Sequence, residues 1–372
     1  MADFNRRDWL KSSGLIGAAT LLSGWSTPEV LTQEIKSPKK KNSLVRLNSN
    51  ENPYGPSEKV RKAMKNAFDD ACRYPYSYQN ELLELLAKKE GVSKDHIIIT
   101  GGSTEGLNIT GAAFGLYGGE IIAARPTFLS MMDYAVLYGA TINWVDVDKN
   151  KGLDLDEMKK RISAQTRLIF LCNPNNPTST LLPANDLRAF CHDVSERVTV
   201  FSDEAYYDFI EDKNYPSMIE FVKEGKNVIV SRTFSKVYGL AGLRIGYLIA
   251  RPDIITKLND HVAAFTNVLA IKAAIEALGD NEFYNHAVSK NREGRQMIYK
   301  TLDELGLEYV KSNTNFVFFK SGRHINELHK SFMERGVQIG RPFPPFYDWC
   351  RISTGTTEEV AFFCEQLKAV LG

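Results

Sequence analysis

Lys236 lies in a segment, Ser231–Tyr247, whose residue types could do covalent chemistry. The lysine follows the β-type run Asn227–Ser231, and hydroxyl groups, glycines and Arg244 stand close to it in the sequence. The ε-amino group of a lysine can form a Schiff base with a carbonyl compound, and a freed amine can act as a general base. A single lysine means little, so the prediction depends on the residues that accompany it.

Other polar segments also follow strand-like runs directly. They are Gly101–Glu105, Asn173–Pro177 and Asp203, and Lys236 follows Val228–Ser231 in the same way. In open α/β sheets, ligands bind outside the carboxyl ends of the strands. We therefore expect these segments to meet at one edge of a sheet and to form one site.

The segment Gly101–Glu105 is predicted to open a helix and to bind an anion. Free backbone N–H groups at a helix start attract negative charge, and the hydroxyl groups of Ser103 and Thr104 add donors. Ser235 and Arg244 would complete the anion site. The segment has neither the P-loop lysine nor the glycine spacing of a dinucleotide-binding loop, so taken alone it is a weak signal.

The ordered set of segments resembles the fold-type-I aminotransferases, which use pyridoxal 5′-phosphate (PLP). The resemblance covers roughly residues 44–372 and is far more specific than any single motif. The implied fold is α/β, of the PLP-dependent transferase type, with a large domain built on a mostly parallel sheet and a smaller α+β domain. The segments that carry the resemblance are, in chain order, Gly101–Glu105, Pro126–Phe128, Asn173–Pro177, Asp203–Tyr206, Ser235–Lys236, Arg244 and Arg351.

The resemblance implies a role for each candidate around the cofactor, whose phosphate would lie in the anion site. Lys236 would form the Schiff base and, once freed by the amino donor, would move a proton between the substrate α-carbon and the cofactor. Asp203 would keep the pyridine nitrogen protonated. Asn176 and Tyr206 would donate to the ring oxygen, and Phe128 would stack on the ring. Taken singly, these residues also fit a helix N-cap, a turn and core packing.

Two N-terminal segments resemble one particular family of fold-type-I aminotransferases. Leu47–Ser57 and Arg73–Pro75 look like the signature of the histidinol-phosphate aminotransferases. In that family the tyrosine of the Arg-Tyr-Pro step reaches the PLP phosphate of the neighbouring subunit. Carried over, this tyrosine is Tyr74, and it implies a homodimer with shared active sites. Tyr54 would lie near the substrate entrance.

The segment Cys350–Gly355 is similar to the part of the family that binds the substrate anion, which points to Arg351. Guanidinium groups bind carboxylates and phosphates bidentately. Arg341 would assist in binding this anion. For either arginine, an ordinary ion pair at the surface is the alternative interpretation. Two positions depart from the family pattern, because Phe128 stands where tyrosine is common and Ser179 where glycine is usual.

The implied reaction moves an amino group between an amino acid or an amino-alcohol phosphate of the histidinol-phosphate type and a 2-oxo acid. Three alternatives stay open. One is an amino-acid aminotransferase of broader specificity. Another is a PLP-dependent decarboxylase or lyase on the same fold, since phosphothreonine decarboxylases resemble this family closely. The third is a non-catalytic exported binding protein, against which the intact set of Lys236, Asp203, Asn176 and Tyr206 argues.

Composition excludes several other classes. The chain has 372 residues, of which 43% are hydrophobic and 24% charged, as is usual for globular proteins. Its formal net charge of +1 gives no electrostatic reason to expect nucleic acid as a partner. The five cysteines form no C-x-x-C pair, so neither a metal site nor a disulfide framework is predicted.

The N-terminus predicts export. The basic stretch Asn5–Lys11 precedes the apolar run Gly14–Gly24, and its paired arginines, Arg6 and Arg7, resemble a twin-arginine (Tat) signal. The apolar run is shorter than the roughly 20 residues that span a bilayer, so no stable membrane span is expected. The predicted location is therefore exported or periplasmic, or cytoplasmic if the segment is only an amphipathic or disordered arm.

Helix-like and strand-like segments alternate after residue 80. This order favours a mostly parallel sheet covered on both faces, followed by a smaller α+β part in the last hundred residues. The predicted division is a signal over 1–30, a linker and N-terminal arm over 31–75, a large PLP-binding domain over 76–270 and a small C-terminal domain over 271–372.

Overall fold

The computed structural model describes residues 44–372. The predicted signal, and residues 31–43 of the predicted linker and N-terminal arm, lie outside the described residues. Regular strands occur in both halves of the described chain. In chain order they are β1 Val45–Arg46, β2 Ile97–Thr100, β3 Glu120–Arg125, β4 Thr141–Asp146, β5 Thr166–Cys172, β6 Thr199–Asp203, β7 Val228–Thr233, β8 Gly246–Ile249, β9 Tyr309–Val310, β10 Phe316–Lys320, β11 Val337–Gln338 and β12 Trp349–Ser353.

Seven of these strands form one sheet in the order β2-β8-β7-β6-β5-β3-β4. Strand β8 runs antiparallel to both of its neighbours, and the other pairs are parallel. Strands β2, β3, β5, β6 and β7 therefore end at the same edge of the sheet. This edge carries the segments that the sequence predicts to meet.

The sheet is covered by helices on both faces, as predicted. Successive side chains of a strand point to opposite faces. Ile169 and Leu171 of β5 thus belong to one apolar cluster, and Leu168 and Phe170 belong to the other. Strands buried on both faces read as continuous apolar runs, which explains why they were visible in the sequence.

The helices divide between the two clusters. In chain order the helices are α1 Glu58–Asn66, α2 Tyr76–Glu90, α3 Ser103–Gly115, α4 Ser130–Leu137, α5 Leu155–Lys160, α6 Ala184–Val194, α7 Ile219–Lys223, α8 Pro252–Asn259, α9 Val268–Gly279, α10 Asn281–Glu304, α11 Ile325–Glu334 and α12 Thr357–Leu371. Residues of α3, α4 and α8 pack in one cluster, while residues of α1, α2, α5, α6, α7 and α9 pack in the other.

The C-terminal part has its own core. Strands β9, β10 and β12 form an antiparallel sheet, and β1 pairs in parallel with β11. Leu47 packs in this core, so the start of the described chain lies with its end. Helix α10 contributes Ala287 to a cluster of the large sheet and Ile298 to the C-terminal core, which joins the two parts.

Within residues 44–372, none of the helices combines the length and the apolar character that crossing a bilayer requires. The same residues contain no group of three or more His, Cys, Asp or Glu side chains placed to hold a metal ion.

Candidate active site

A cleft of about 450 Å³ opens where the parallel strands of the large sheet end. All the candidate site residues except Tyr54 and Tyr74 line it. These residues are Ser103, Thr104, Phe128, Asn176, Asp203, Tyr206, Ser235, Lys236, Arg244, Arg341 and Arg351. The cleft is also lined by residues for which the sequence predicts no individual role, namely Asn48, Ser49, Asn50, Glu51, Thr127, Cys172, Ala205, Ala241 and Phe343.

Lys236 is half-buried, and its amine points into the cleft. Its Nζ donates to the backbone carbonyl of Asn50 at 3.0 Å and lies 5.4 Å from the ring centre of Tyr206. Burial and, to a smaller extent, the positive charge of Arg351 lower the pKa of this amine to about 8, while Asp203 acts in the opposite direction. A lysine with such a pKa can give up its proton near neutral pH, which suits a nucleophile or a general base.

Asp203 ends β6 and is buried at the cleft. Its Oδ1 accepts the N–H of Ala205 at 3.2 Å. Burial raises the pKa of this carboxyl to about 7, although the bond from Ala205 and the charge of Lys236 favour ionisation. A cation that lies beside a buried carboxyl favours its ionised form. Asp203 can therefore hold a proton on a ring nitrogen that faces it.

Asn50 joins several parts of the cleft, a role that is not predicted from the sequence. Its side chain donates to the hydroxyl of Tyr206 at 2.9 Å and accepts from the hydroxyl of Ser353 at 2.9 Å. Its carbonyl accepts from Asn315 at 2.9 Å as well as from Lys236. Asn50 has a φ of 54°, a left-handed conformation that asparagine adopts more readily than most residues. An asparagine in a turn-like segment was the only available signal.

The start of α3 forms the anion-binding end of the cleft. Arg244 donates towards the hydroxyl groups of Thr104 and Ser235, at 3.4 Å in both cases. Gly102 precedes the helix with a φ of 84°, and a side chain there would collide with the guanidinium of Arg244. The glycine thus lets a cation and the free N–H groups of the helix share one small space.

Arg351 lies across the cleft on β12 and is nearly fully buried. It donates to Asn176 Oδ1 at 2.7 Å and to the carbonyl of Asn48 at 2.6 Å. Burial lowers the pKa of its guanidinium to about 10. Arg341 is exposed at the mouth of the cleft, and the guanidinium groups of both arginines lie over the ring of Phe343. Two cations at one mouth favour an anionic ligand.

Tyr54 does not line the cleft. Its hydroxyl accepts the N–H of Thr357 at 3.0 Å, at the first residue of α12, and its ring packs edge-on against His286. Tyr54 thus binds the N-terminal segment to the C-terminal part. Its place near the substrate entrance stays a prediction.

Tyr74 also lies outside the cleft of its own protomer. It is 75% exposed and contacts the rings of Tyr76 and Phe265 at the border of a separate depression of about 940 Å³. Single exposed aromatic residues are ordinary, but a contiguous exposed apolar cluster marks an interaction surface.

Comparison with known proteins gives the family. The profile described as "Aminotransferase class I and II" matches residues 42–367. The chain belongs to the class I and II aminotransferases. A histidinol-phosphate aminotransferase of Caldicellulosiruptor saccharolyticus is 39% identical over 331 residues, which is 88% of this chain and 92% of the relative. One from Bacillus licheniformis is 37% identical over 91% of this chain and 94% of the relative.

The solved structures agree with the fold of this aminotransferase. The structure of histidinol-phosphate aminotransferase from Sinorhizobium meliloti in complex with pyridoxal-5′-phosphate superposes with a TM-score of 0.80. It is 26% identical in sequence and covers 87% of this chain and 91% of its own. The predicted fold type is thereby confirmed.

The lowered pKa of Lys236 can be measured on the cofactor-free protein. We expect the rate at which an amine-directed reagent labels Lys236, followed by mass spectrometry of its peptide, to rise with a midpoint near pH 8. Arg351→Gln should raise the midpoint, because it removes a positive charge that disfavours the protonated amine. Asp203→Asn should lower it, because it removes a negative charge.

The two variants control each other, since each replaces a charged side chain with an amide. A midpoint near the ordinary lysine value of about 10.4 in the unmodified protein would contradict the described electrostatics. Shifts of the same sign in both variants would contradict them as well.

Proposed function

We propose that this protein is a PLP-dependent aminotransferase that takes its amino group from histidinol phosphate or a related amino-alcohol phosphate and passes it to a 2-oxo acid. One observation carries the proposal. A single cleft holds a lysine amine of lowered pKa between a buried carboxyl and an anion-binding helix start. The similarity to histidinol-phosphate aminotransferases over most of the chain supports the choice of donor.

The residues of the cleft fit PLP. Thr104, Ser235 and Arg244 offer donors for a phosphate, and Asp203 offers a carboxylate for a ring nitrogen. Within residues 44–372, Arg351 Nε is buried without a hydrogen-bond partner beside the cleft. Buried polar atoms without a partner are rare in folded proteins, and a ligand is one explanation for them. The anionic end of a substrate would satisfy this atom.

When bound, PLP supplies an aldehyde that condenses with amino groups and a protonated ring that takes up the electron pair released at the substrate α-carbon. Lys236 would take the proton from that carbon and pass it to the bound cofactor, because its pKa of about 8 lets its amine change protonation near neutral pH. Asp203 would hold the proton on the ring nitrogen. Arg351 orients the substrate by its anionic end, since the planar guanidinium fixes both position and direction.

A donor screen on the purified holo-protein tests the function. We expect histidinol phosphate to convert the cofactor absorbance band completely in the half-reaction, with glutamate and aromatic amino acids less effective. Lys236→Ala should abolish turnover, and Asp203→Ala should lower kcat on the order of 10²–10³-fold because a preorganised charge is lost. Circular-dichroism spectra of both variants that match the spectrum of the unmodified protein would establish that the variants fold.

The product distinguishes the alternatives to this function. Release of carbon dioxide in place of a keto product would identify a decarboxylase. A protein that never forms a cofactor band sensitive to Lys236→Ala would be a binding protein. An equal rate with all donors would replace the histidinol-phosphate assignment by a broader amino-acid specificity.

We also propose that the protein is a homodimer in which Tyr74 serves the cleft of the partner. The exposure of Tyr74, Tyr76 and Phe265, at 75%, 63% and 50%, supports a covered surface there. A hybrid of one Lys236→Ala subunit and one Tyr74→Ala subunit tests this. Sharing in trans predicts one intact site, and hence about half of the unmodified activity. Activity no greater than that of the Tyr74→Ala homodimer alone would show that Tyr74 does not act across subunits.

We further propose that residues 1–30 direct export by a twin-arginine route. The paired Arg6 and Arg7, the following apolar run and the start of the family match only at residue 42 support this. Replacing both arginines with lysine should retain a fused reporter in the cytoplasm, while replacing the nearby Lys11 with arginine should not. Unchanged export of the double-lysine variant would contradict the proposal.

A further inference from the structure

A buried ion pair lies next to the cleft but does not line it. Glu204 and Arg232 are 2% and 7% exposed, and their charged groups approach to 2.7 Å. The carboxylate of Glu204 also accepts from the N–H of Met218 and the hydroxyl of Ser217, both at 2.8 Å. The guanidinium of Arg232 lies 4.0 Å from the ring centre of Tyr207. Contacts from Met218, Ser217 and Tyr207 thus hold the pair, although in the described part of the chain the Nε of Arg232 is buried without a hydrogen-bond partner.

Each partner is covalently close to a residue of the cleft. Glu204 directly follows Asp203, and Arg232 comes four residues before Lys236. The backbone N–H of Glu204 donates to the carbonyl of Ser231 at 3.1 Å, so the two segments are joined through the main chain as well. The ion pair thus ties the end of β6 to the end of β7, the two strands that deliver the carboxyl and the amine.

The same network reaches a third segment of the cleft. The hydroxyl of Tyr207 donates to the carbonyl of Tyr215 at 2.8 Å. The hydroxyl of Tyr215 in turn accepts from the side chain of Asn173 at 2.8 Å. Asn173 opens the loop that carries Asn176, and its own N–H donates to the carbonyl of Asp203 at 3.0 Å. Three site-bearing segments therefore share one buried polar scaffold.

Stability alone gives a weak reason for such a scaffold. The cost of removing two charges from water can equal or exceed their attraction, and well-packed apolar residues often replace a buried pair without loss. An ion pair also fixes the relative orientation of its two partners, because it forms only within a narrow range of distances and angles. A small displacement of reacting groups can cost on the order of 10²-fold in rate. A device that fixes the relative placement of β6 and β7 would act on the rate.

We propose that the Glu204–Arg232 pair is a positioning device that sets the placement of Asp203 relative to Lys236 for amino-group transfer. This inference rests on the proposed function, because it assigns the pair a part in that reaction. Neither residue touches the cleft, so neither binds substrate. The pair acts through the two groups that it places, and its loss should lower kcat while leaving KM nearly unchanged.

The test compares four variants of the holo-protein. Glu204→Gln removes one charge, and Glu204→Gln with Arg232→Met removes both while filling the space. Arg232→Lys keeps the charge but loses the planar group over Tyr207. Arg188→Gln is the matched control, since Arg188 and Glu220 form an exposed ion pair at 2.8 Å on the surface near Ser217.

Four measurements are made on each variant: Tm, kcat and KM, the circular-dichroism band of the bound cofactor, and the labelling rate of Lys236 in the cofactor-free protein. We expect the double variant to keep a Tm near that of the unmodified protein and to lose about tenfold or more in kcat, with KM within about twofold. The cofactor band and the labelling rate should change too. Arg188→Gln should leave all four unchanged.

A purely structural pair would lower Tm in Glu204→Gln but leave kcat, the band and the labelling rate of the folded double variant as in the unmodified protein. That result would overturn the proposal. If the double variant does not fold, Arg232→Lys decides: a lower kcat at unchanged Tm supports positioning, and an unchanged kcat refutes it. Should the unmodified protein fail to transfer amino groups, the proposed function would fail separately, while changed labelling of Lys236 would still report the displacement.

Discussion

The cleft depends on burying an amine and a carboxyl together at the edge of a sheet. A charged group loses the solvation of water when it is buried, so burial drives both groups towards their neutral forms. The pKa of Lys236 accordingly falls to about 8, and the pKa of Asp203 rises to about 7. Both groups therefore titrate close to neutral pH. Small changes in nearby charge then decide which group carries a proton, and this makes the surrounding cations part of the chemistry.

The parallel sheet makes that burial possible. Strands β2, β3, β5, β6 and β7 end together, and each is followed by a segment that faces the same cleft. The strands are buried on both faces, so their ends are stiff platforms for polar groups. The sequence was informative for the same reason, because each apolar run is followed at once by the polar residues that it positions. The site residues that follow these strands could therefore be predicted from the sequence, together with the fact that they form one site.

Other features of the structure could not be predicted from the sequence. The antiparallel β8 is a short buried strand like its neighbours. A run of four residues does not indicate whether a strand runs parallel or antiparallel to its neighbours. Helix α10 is 24 residues long but carries a different buried face to each of the two cores it joins, so it shows no single apolar stripe. The role of Asn50 comes from a left-handed backbone and from partners far away in the chain. Such long-range contacts cannot be read from local spacing.

The pairing of β1 with β11 limits how far the N-terminus can be shortened. Leu47 lies in the C-terminal core, and Asn50 supports Lys236, so the first few described residues are part of the catalytic framework. A truncation that preserves this framework must therefore keep Val45, where β1 begins. Removing a few more residues would take Leu47 out of the C-terminal core and would remove the carbonyl of Asn50 from Lys236.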